Sequence, residues 1–486
     1  MPADRSANRR PLIVAAIVLA TFMVAIEATI VATAMPHIVG QLGGFAYYSW
    51  VFSAFLLAQT TTTVIYGRLA DIFGRKPVLI TGTALFLLAS VLCGLAWSMP
   101  SLILFRLLQG LGAGAILPVT TTIVGDLYRI EERGKIQGLL SSVWASSAVV
   151  GPLAGAVIVD HLPWAWIFWL NLPFGVLAIA GLVLFLQEKV TRQNEPIDYA
   201  GAALFAVAIA AFMLMLTEAD AGLGIVLPLG LLFLLAGAAF LWQERRATAP
   251  MISLQLWRRQ LIAACNVATL LAGMALIGLT TVLPLHVQGV LGRSPLEAGF
   301  ALTMLILGWP LAVTLSSRCY RIFGIRRTLR LGSLMFPLGA AAFLQLQPGS
   351  SPILAGAGSF VMGFGMGLLS ITCIILIQES VDWAERGSAT SSNLFARSLG
   401  NTLGATALGA VLNLGIDRYA PPHAAARLHG LLERPDGLGG VATDPQAQAA
   451  LHQALHLAFW GILLLALLAC LTCWWIPARR HLAKPA

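Results

Sequence analysis

The chain has 486 residues, of which 58% are apolar and only 10% are charged. A soluble protein carries roughly 25% charged residues, so the composition excludes an ordinary soluble enzyme or binding domain and indicates an integral membrane protein. The net charge is +9. Because the basic residues fall between the apolar runs, this charge does not require a nucleic-acid partner.

Apolar runs of 18 or more residues recur along the chain, and each is long enough to cross a bilayer core of about 30 Å. We predict fourteen transmembrane helices, because helices satisfy their backbone groups within a span and the alternation typical of barrel strands is absent. The predicted spans are 11–34, 48–70, 77–97, 101–125, 136–159, 165–187, 199–218, 224–243, 260–284, 296–316, 328–346, 352–377, 388–413 and 455–476.

Glu27 is the only one of the 21 carboxylates that lies deep inside a predicted span. It stands roughly 24 Å beyond Pro11 along a helix that rises about 1.5 Å per residue. A charge at this depth is unfavourable, so an ionisable residue here is by default a candidate functional site. We predict that Glu27 binds and releases a proton. The alternative is a carboxylate paired within the bundle for packing alone.

The basic residues predict the topology. With the N-terminus in the cytoplasm, 24 of the 30 Lys and Arg residues lie on the cytoplasmic side, four lie outside, and two, Arg106 and Arg397, lie within spans. Cytoplasmic loops are enriched in Lys and Arg, so we expect both termini in the cytoplasm. The basic surface then faces anionic membrane lipid.

A segment of the first half recurs 253 residues later. The shared residues are Gly110, Gly112, Gly114 and Glu132-Arg133-Gly134 in the first copy, and Gly363, Gly365, Gly367 and Glu385-Arg386-Gly387 in the second. We infer two six-helix halves, at 1–190 and 251–486, separated by two additional helices within 191–250, with an outer loop at 414–454. Internal repeats are typical of secondary transporters, whereas a channel would more often repeat a pore filter.

The copies differ at positions where we expect function. Arg106 aligns with Ser359, and Trp144 aligns with Arg397. We expect Arg397 to face a substrate cavity, because an unpaired cation within a span is unfavourable against lipid. The other candidate cavity residues are Trp144, His286 and Gln288. The alternative for His286, at the outer end of span nine, is an interfacial histidine without a role.

The loop between spans two and three reads GRLADIFGRK, from Gly67 to Lys76. It resembles the signature loop of the major facilitator superfamily, in which an aspartate and a following arginine act as a conformational latch between the two halves. The resemblance assigns these roles to Asp71 and Arg75, with Asp126 as the partner of Arg75. The predicted latch residues are Gly67, Arg68, Asp71, Gly74, Arg75, Lys76, Asp126, Glu385 and Arg386. We also expect Asp71 to accept hydrogen bonds from a helix N-terminus.

The fourth span contains LILFRLLQGLGAGA, from Leu102 to Ala115. Arg106, Gln109 and Gly110 match the fourth-helix motif of that family, whose arginine is associated with proton transfer. Counted from the outer side, Arg106 lies roughly 7–8 Å deep and Glu27 roughly 10 Å deep, so we expect the two side chains to meet. The alternative is that Arg106 ties helices together through backbone carbonyls.

Three further segments resemble the fourteen-span drug:proton antiporter branch of the family. Gly151, Pro152 and Gly155 in the fifth span resemble the antiporter motif of drug exporters. The segments at 25–36 and 164–175 resemble the branch's first-helix and sixth-helix motifs, although the first usually carries aspartate where Glu27 stands. The resemblance implies an all-α major facilitator fold with two pseudo-symmetric six-helix bundles plus two central transmembrane helices.

The resemblance and the deep carboxylate predict a proton-coupled exporter of amphipathic organic compounds in a bacterial-type inner membrane. The alternative is a dedicated exporter of one fatty acid, siderophore or secondary metabolite. We expect no enzymatic activity, cofactor or metal, since HExxH and GxSxG motifs are absent, and no nucleic-acid partner. The need for a periplasmic adaptor is left open. The deep residues Glu27, Arg106 and Arg397 sum to +1, so we expect neutral, monocationic or anionic substrates.

Overall fold

The computed structural model describes residues 9–43, 47–188, 198–218, 222–247, 254–420, 428 and 444–476. Within these ranges the chain is helical and contains no strand, which confirms the predicted all-α class. The principal helices are α1 (Arg10–Leu42), α2 (Tyr48–Phe73), α3 (Arg75–Gly94), α4 (Met99–Leu127), α5 (Ile130–His161), α6 (Trp166–Trp169), α7 (Asn171–Phe185), α8 (Tyr199–Thr217), α9 (Leu223–Arg246), α10 (Leu254–Arg258), α11 (Gln260–Leu285), α12 (Pro295–Phe323), α13 (Ile325–Phe343), α14 (Pro352–Glu379), α15 (Arg386–Tyr419) and α16 (Pro445–Trp474).

A long helix occupies each predicted span in the described part of the chain, with α6 and α7 together forming the sixth. Twelve of these are long and apolar enough to cross a membrane, judged by length and composition. The two others are α2, which carries a polar run at 59–63, and α13, which carries three arginines in its first two turns. The count of fourteen spans therefore stays a prediction. Residues 421–427 and 429–443 of the predicted outer loop lie outside the described residues.

Contacts divide the chain into two compact units. Unit 1 comprises Met1–Arg258 and Ile377–Phe395, and unit 2 comprises Arg259–Leu376 and Ala396–Ala486. The two additional helices α8 and α9 pack on each other, and α8 also packs on α2, within unit 1. The end of α14 and the start of α15 also belong to unit 1, so this unit includes a segment from the second sequence repeat.

The sequence repeat extends to how helices pack inside each unit. In unit 1, Gly112 of α4 lies against the backbone of Phe86 in α3, where any added side chain would clash. In unit 2, Gly365 of α14 makes the same approach to the backbone of Phe336 in α13. Small residues allow such close contact between membrane helices. The repeated glycines therefore set the same helix spacing twice.

Helix α1 packs against several other helices of unit 1. It contacts α4, α5 and α7, and Ile17, Ala20 and Met23 on it are fully buried. An apolar helix surrounded by other helices has little exposure to lipid or water. A charged side chain on the buried face of α1 therefore needs partners on those neighbouring helices.

Candidate functional site

Glu27 lies in the interior of unit 1 and is fully buried. Its Oε1 accepts a hydrogen bond from Arg106 Nη1 at 2.5 Å, which is also an ion pair. Its Oε2 accepts a hydrogen bond from Asn171 Nδ2 at 2.5 Å. Both carboxylate oxygens are thus held by donors, one from α4 and one from the start of α7. The expected meeting of Glu27 and Arg106 is present.

Arg106 makes further contacts inside unit 1. Nη1 donates to Gln109 Oε1 at 2.7 Å, and Nε donates to the Val51 carbonyl of α2 at 3.2 Å. The guanidinium lies over the Phe55 ring, with its carbon 4.3 Å from the ring centroid. Arg106 therefore pairs with Glu27 and also ties α4 to a carbonyl of α2. Both of the contacts considered in the sequence analysis are present.

The network continues from Gln109 into α3. Gln109 Nε2 donates to Ser90 Oγ at 2.8 Å, and the Cys93 thiol approaches Gln109 Oε1 at 3.7 Å. Polar groups from α1, α3, α4 and α7 are thus linked within a buried, otherwise apolar bundle. We call Glu27, Arg106, Gln109, Asn171 and Ser90 the carboxylate network. Such a network stabilises a unique arrangement only when its members are hydrogen-bonded.

Sequence analysis did not identify Asn171 or Ser90 as site residues. Asn171 begins α7 where the chain leaves the short helix α6. It is the one amide in the apolar segment 164–175, and that isolation was the available signal. Its Oδ1 is buried without a hydrogen-bond partner among the described residues.

The antiporter-type motif of α5 packs directly on α1 near Glu27. Gly151 lies against Thr29, and a side chain at this glycine would clash with the threonine. Thr29 Oγ1 donates to the Ser147 carbonyl at 2.9 Å, and Gly155 lies against Ile30. Helix α5 is continuous through its internal Pro152. The motif therefore fixes the distance between α5 and the helix that carries the carboxylate.

Asp71 lies at the C-terminal end of α2 and receives hydrogen bonds from the N-terminus of α15. Its Oδ1 accepts from the Gly387 amide at 2.8 Å, and its Oδ2 accepts from the Ser388 amide and hydroxyl, each at 2.7 Å. These are the amides that a helix N-terminus leaves free for an anion. The expected role of Asp71 as an acceptor for a helix N-terminus is therefore seen in the contacts.

Arg75 binds the residues around Asp71. Gly74, with φ of 95°, separates α2 from α3 in a backbone conformation that favours glycine. Arg75 lies 3.2 Å from Asp71 and 3.2 Å from Asp126. It also donates to the Trp383 carbonyl at 2.7 Å, and its guanidinium carbon lies 3.7 Å from the centroid of that indole. The expected pairing of Arg75 with Asp126 is present.

Two ion pairs exchange partners between the sequence repeats. Arg386 Nη1 lies 2.6 Å from Asp126 Oδ1, and Arg133 Nη1 lies 2.8 Å from Glu379 Oε1. Arg133 aligns with Arg386, and Asp126 aligns with Glu379, at the repeat spacing of 253 residues. Each arginine thus pairs with the acid of the other copy. Sequence analysis did not predict this exchange.

The remaining predicted latch residues lie close by in unit 1. Gly67 lies against Ser391 and the Gly387 carbonyl. The Lys76 amide donates to Glu188 Oε2 at 2.9 Å, at the start of α3. Arg68 lies in the last two turns of α2, and Glu385 ends the short helical turn Trp383–Glu385 before α15. We call the contacts of Asp71, Arg75, Asp126, Arg133, Glu379 and Arg386 the latch network.

Arg397 is in unit 2 and has very different surroundings. Among the described residues it forms no ion pair and no side-chain hydrogen bond, and its recorded side-chain contact is with Trp309, whose ring centroid lies 5.8 Å from the guanidinium carbon. The residue is partly exposed. The expectation that Arg397 faces a substrate cavity stays a prediction.

Of the other candidate cavity residues, two belong to unit 2 and one belongs to unit 1. His286 is fully buried, with ring centroids 5.6 Å from His452 and 6.2 Å from His456 of α16. Gln288 is partly exposed in the π-helical turn that follows α11. Trp144 belongs to α5 of unit 1 and is 38% exposed. No cluster of three or more His, Cys, Asp or Glu side chains in the described ranges is placed to hold a metal ion.

Comparisons with known proteins agree with this architecture. The Major Facilitator Superfamily profile matches residues 17–405. The chain is 32% identical to the Multidrug transporter protein MdtP of Bacillus subtilis over 468 residues, covering 92% of this chain and 86% of that relative. It is 33% identical to Multidrug resistance protein 3 of the same organism over 403 residues, covering 82% and 79%.

A solved structure shows the same fold at low sequence identity. The human organic anion transporter MFSD10 (TETRAN) aligns with a TM-score of 0.64 and 15% identity, over 96% of this chain and all of that one. The helical architecture, the repeat and the profile match define a multi-pass membrane protein of the transporter class. The chain belongs to the Major Facilitator Superfamily, and the family resemblance drawn from its motifs is confirmed.

Proposed function

We propose that the protein is a proton-coupled exporter of amphipathic organic compounds, working by alternating access in a bacterial-type inner membrane with both termini in the cytoplasm. The observation that carries this proposal is the buried carboxylate network, in which a single acid is held between Arg106 and Asn171. The names of the two Bacillus relatives, a multidrug transporter and a multidrug resistance protein, support the export of organic compounds.

Proton binding at Glu27 changes the charge balance of the network. Ionised Glu27 neutralises Arg106 and accepts two short hydrogen bonds. Protonated Glu27 leaves Arg106 with Gln109, a backbone carbonyl and an aromatic ring, but without a counter-charge. Because a buried cation that loses its partner is strongly unfavourable, the two protonation states favour different arrangements of α1, α4 and α7. A ligand, here the proton, shifts a conformational equilibrium when its affinity for the two arrangements differs.

The latch network stabilises the conformation described here. Asp71 binds the start of α15, and the reciprocal pairs of Arg386 and Arg133 bind the ends of α4 and α14. A change of state that moves these helix ends must break several charge-assisted hydrogen bonds together. We infer that the network makes the conformational change cooperative, and that proton binding at Glu27 lowers the barrier to it. The scheme needs the proton gradient and no cofactor.

The test is proton movement in proteoliposomes that contain wild-type protein or Glu27→Gln. We expect several unrelated lipophilic compounds to discharge an imposed pH gradient with the wild type and not with Glu27→Gln. The variant should still equilibrate substrate down its own gradient, which shows that it is folded and inserted. Undiminished proton coupling in Glu27→Gln would overturn the assignment of this site.

Export of one dedicated compound is the second candidate, and Arg397 is the observation that favours it. One intramembrane cation beside one aromatic ring can select for an acidic substrate, which a fatty acid or an acidic metabolite would supply. The same substrate panel separates the two readings. Response to a single chemical class favours the dedicated exporter, and response to several classes favours the multidrug exporter.

A further inference from the structure

Arg397 is an intramembrane cation whose described surroundings contain no anion. It stands roughly 16 Å along α15 from the first residue of that helix, within a helix apolar enough to span a membrane. Its contact in the described part of unit 2 is the Trp309 ring face. A single cation–π contact does not offset the unfavourable placement of a full charge within the membrane.

Asn401 lies one helical turn beyond Arg397, on the same face of α15. Its Oδ1 is buried without a hydrogen-bond partner among the described residues, and no hydrogen bond of its side chain is recorded. Two polar side chains of one helix face thus lack hydrogen-bond partners in the same part of unit 2. The Asn401 Oδ1 atom is an acceptor that lies beside Gly273 of α11, so a ligand would bind through the Asn401 amide nitrogen and the Arg397 guanidinium. Both of these groups are donors, so this pair points to a ligand that accepts hydrogen bonds.

The backbone around these side chains is held by close packing against α11. A side chain at Gly273 of α11 would lie 2.7 Å from the Arg397 carbonyl and 3.0 Å from Asn401 Oδ1. Gly400 likewise lies against the Leu270 carbonyl. Because α11 fixes this turn of α15, Arg397 and Asn401 extend from a rigid support. A rigid support is what a binding site needs to hold a head group at a defined position.

We propose that Arg397, Asn401 and Trp309 bind the head group of a monoanionic amphiphile, with a carboxylate as the preferred group. The guanidinium donates two parallel hydrogen bonds to the carboxylate oxygens, and the Asn401 amide adds a third donor. The Trp309 indole packs against the apolar body next to the head group. This site rests on the proposed export function and assigns the charge of the substrate.

The charge count supports an anion over a cation. Arg106 already has Glu27 as its internal counter-charge, so it does not need an external anion. Arg397 has none among the described residues, and a cationic substrate beside it would place two like charges in a low-dielectric environment. A monoanion neutralises Arg397, and a neutral ion pair has a smaller electrostatic penalty in the membrane interior than a single charge.

Equilibrium binding in a neutral detergent, without any gradient, tests the inference. The probe is 11-(dansylamino)undecanoic acid, compared with its methyl ester and with the amine of the same chain length. We expect wild-type protein to bind the acid at least about tenfold more tightly than the ester, and the amine most weakly. Equal affinity for acid and ester in the wild type would overturn the proposal without reference to any variant.

Substitutions at Arg397 and Asn401 test which side chains cause the preference for the acid over the ester. Arg397→Met should remove the preference for the acid while leaving ester affinity unchanged, and Arg397→Lys should retain part of it. Asn401→Leu should weaken acid binding a few-fold. Arg293→Met, at a position with 46% exposure of the side chain, is the matched control and should bind like the wild type. An unchanged preference in Arg397→Met, with correct elution on size exclusion, would contradict the assignment.

Transport in proteoliposomes separates this inference from the export function. If the wild type couples protons to the ester and the amine but not to the acid, the anion site is wrong and the export function stands. If the acid binds through Arg397 and no compound moves protons, the anion site stands and proton-coupled export is wrong.

Discussion

Arg106 and Arg397 are the two arginines that lie deep within the predicted spans, and their surroundings differ. Arg106 in unit 1 has an acid at 2.5 Å, an amide at 2.7 Å, a backbone carbonyl at 3.2 Å and an aromatic ring. Arg397 in unit 2 has one indole ring at 5.8 Å. The chain thus pairs one intramembrane arginine with an acid and leaves the other without an anion among its described residues.

The difference separates two kinds of site. Glu27 in the carboxylate network is fully buried. A proton is small enough to reach this acid and change its charge. The described surroundings of Arg397 contain no anion, and we propose that an external anion completes them. The repeat supports this division, because Arg106 aligns with Ser359 and Arg397 aligns with Trp144. Each unit therefore has its own intramembrane arginine, on a different helix.

The largest expected effect is at Arg106. Arg106→Met leaves Glu27 buried without its counter-charge, so we expect a loss of about 3–5 kcal/mol in the free energy of unfolding, measured by denaturant titration in detergent micelles. The double variant Glu27→Gln with Arg106→Met should recover most of this loss, because both charges are removed. Additive losses in the double variant would mean that the pair is not energetically coupled.

Asn171 offers a smaller change in the same network. Asn171→Leu removes the donor to Glu27 Oε2, and a hydrogen bond to a charged group is worth about 1.5–3 kcal/mol. We expect a stability loss of that size, measured in the same titration. In a Glu27→Gln background the same substitution should have less effect, since the acceptor is then neutral. An equal loss in both backgrounds would show that Asn171 acts through packing and not through the carboxylate.

A substitution at Gly151 tests whether the packing of α5 on α1 supports the carboxylate network. Gly151→Leu forces a side chain against Thr29, and overpacking of this kind lowers stability by about 1–3 kcal/mol. We expect slower proton-coupled transport because α1 is displaced near Glu27, while acid binding through Arg397 is unchanged. Gly237→Leu on α9 is the control, since nothing lies within 4 Å of an added Cβ there. Equal effects of the two substitutions would contradict a specific role for the α1–α5 contact.

Arg397 should give the smallest effect on stability. Arg397→Met removes a cation that has no anionic partner in the described structure, so we expect an unfolding free energy that is unchanged or higher, by up to about 1 kcal/mol. The same denaturant titration used for Arg106→Met measures it. A loss comparable to that of Arg106→Met would mean that Arg397 has a structural partner, and the contrast between the two arginines would fail.

Much of the fold and part of the site are readable from the sequence. Apolar length predicts the helices, and counting residues from the outer ends of spans one and four is enough to bring Glu27 and Arg106 to the same depth. The repeat spacing aligns Asp126 with Glu379 and Arg133 with Arg386. These inferences depend on distances along a helix axis, which are nearly constant at about 1.5 Å per residue.

The missing partners depend on helix rotation, which the sequence does not define here. Asn171 and Ser90 reach the network because α7 and α3 turn those faces inward. A helix that is apolar on all sides has no polar face to indicate which side points into the bundle. Asn401 is the exception, since its position four residues after Arg397 placed it on the same helix face and was a signal that sequence analysis did not use.

The central claim is that the Glu27–Arg106 pair couples protons while Arg397 selects the substrate. Simultaneous recording of pH change and substrate movement in proteoliposomes, for wild type, Glu27→Gln and Arg397→Met, tests it most directly. We predict that Glu27→Gln loses proton movement but keeps the preference for acid over ester in downhill exchange. Arg397→Met should keep proton-coupled transport of the ester and lose that preference. Loss of the same property in both variants, or full proton coupling in Glu27→Gln, would contradict the account.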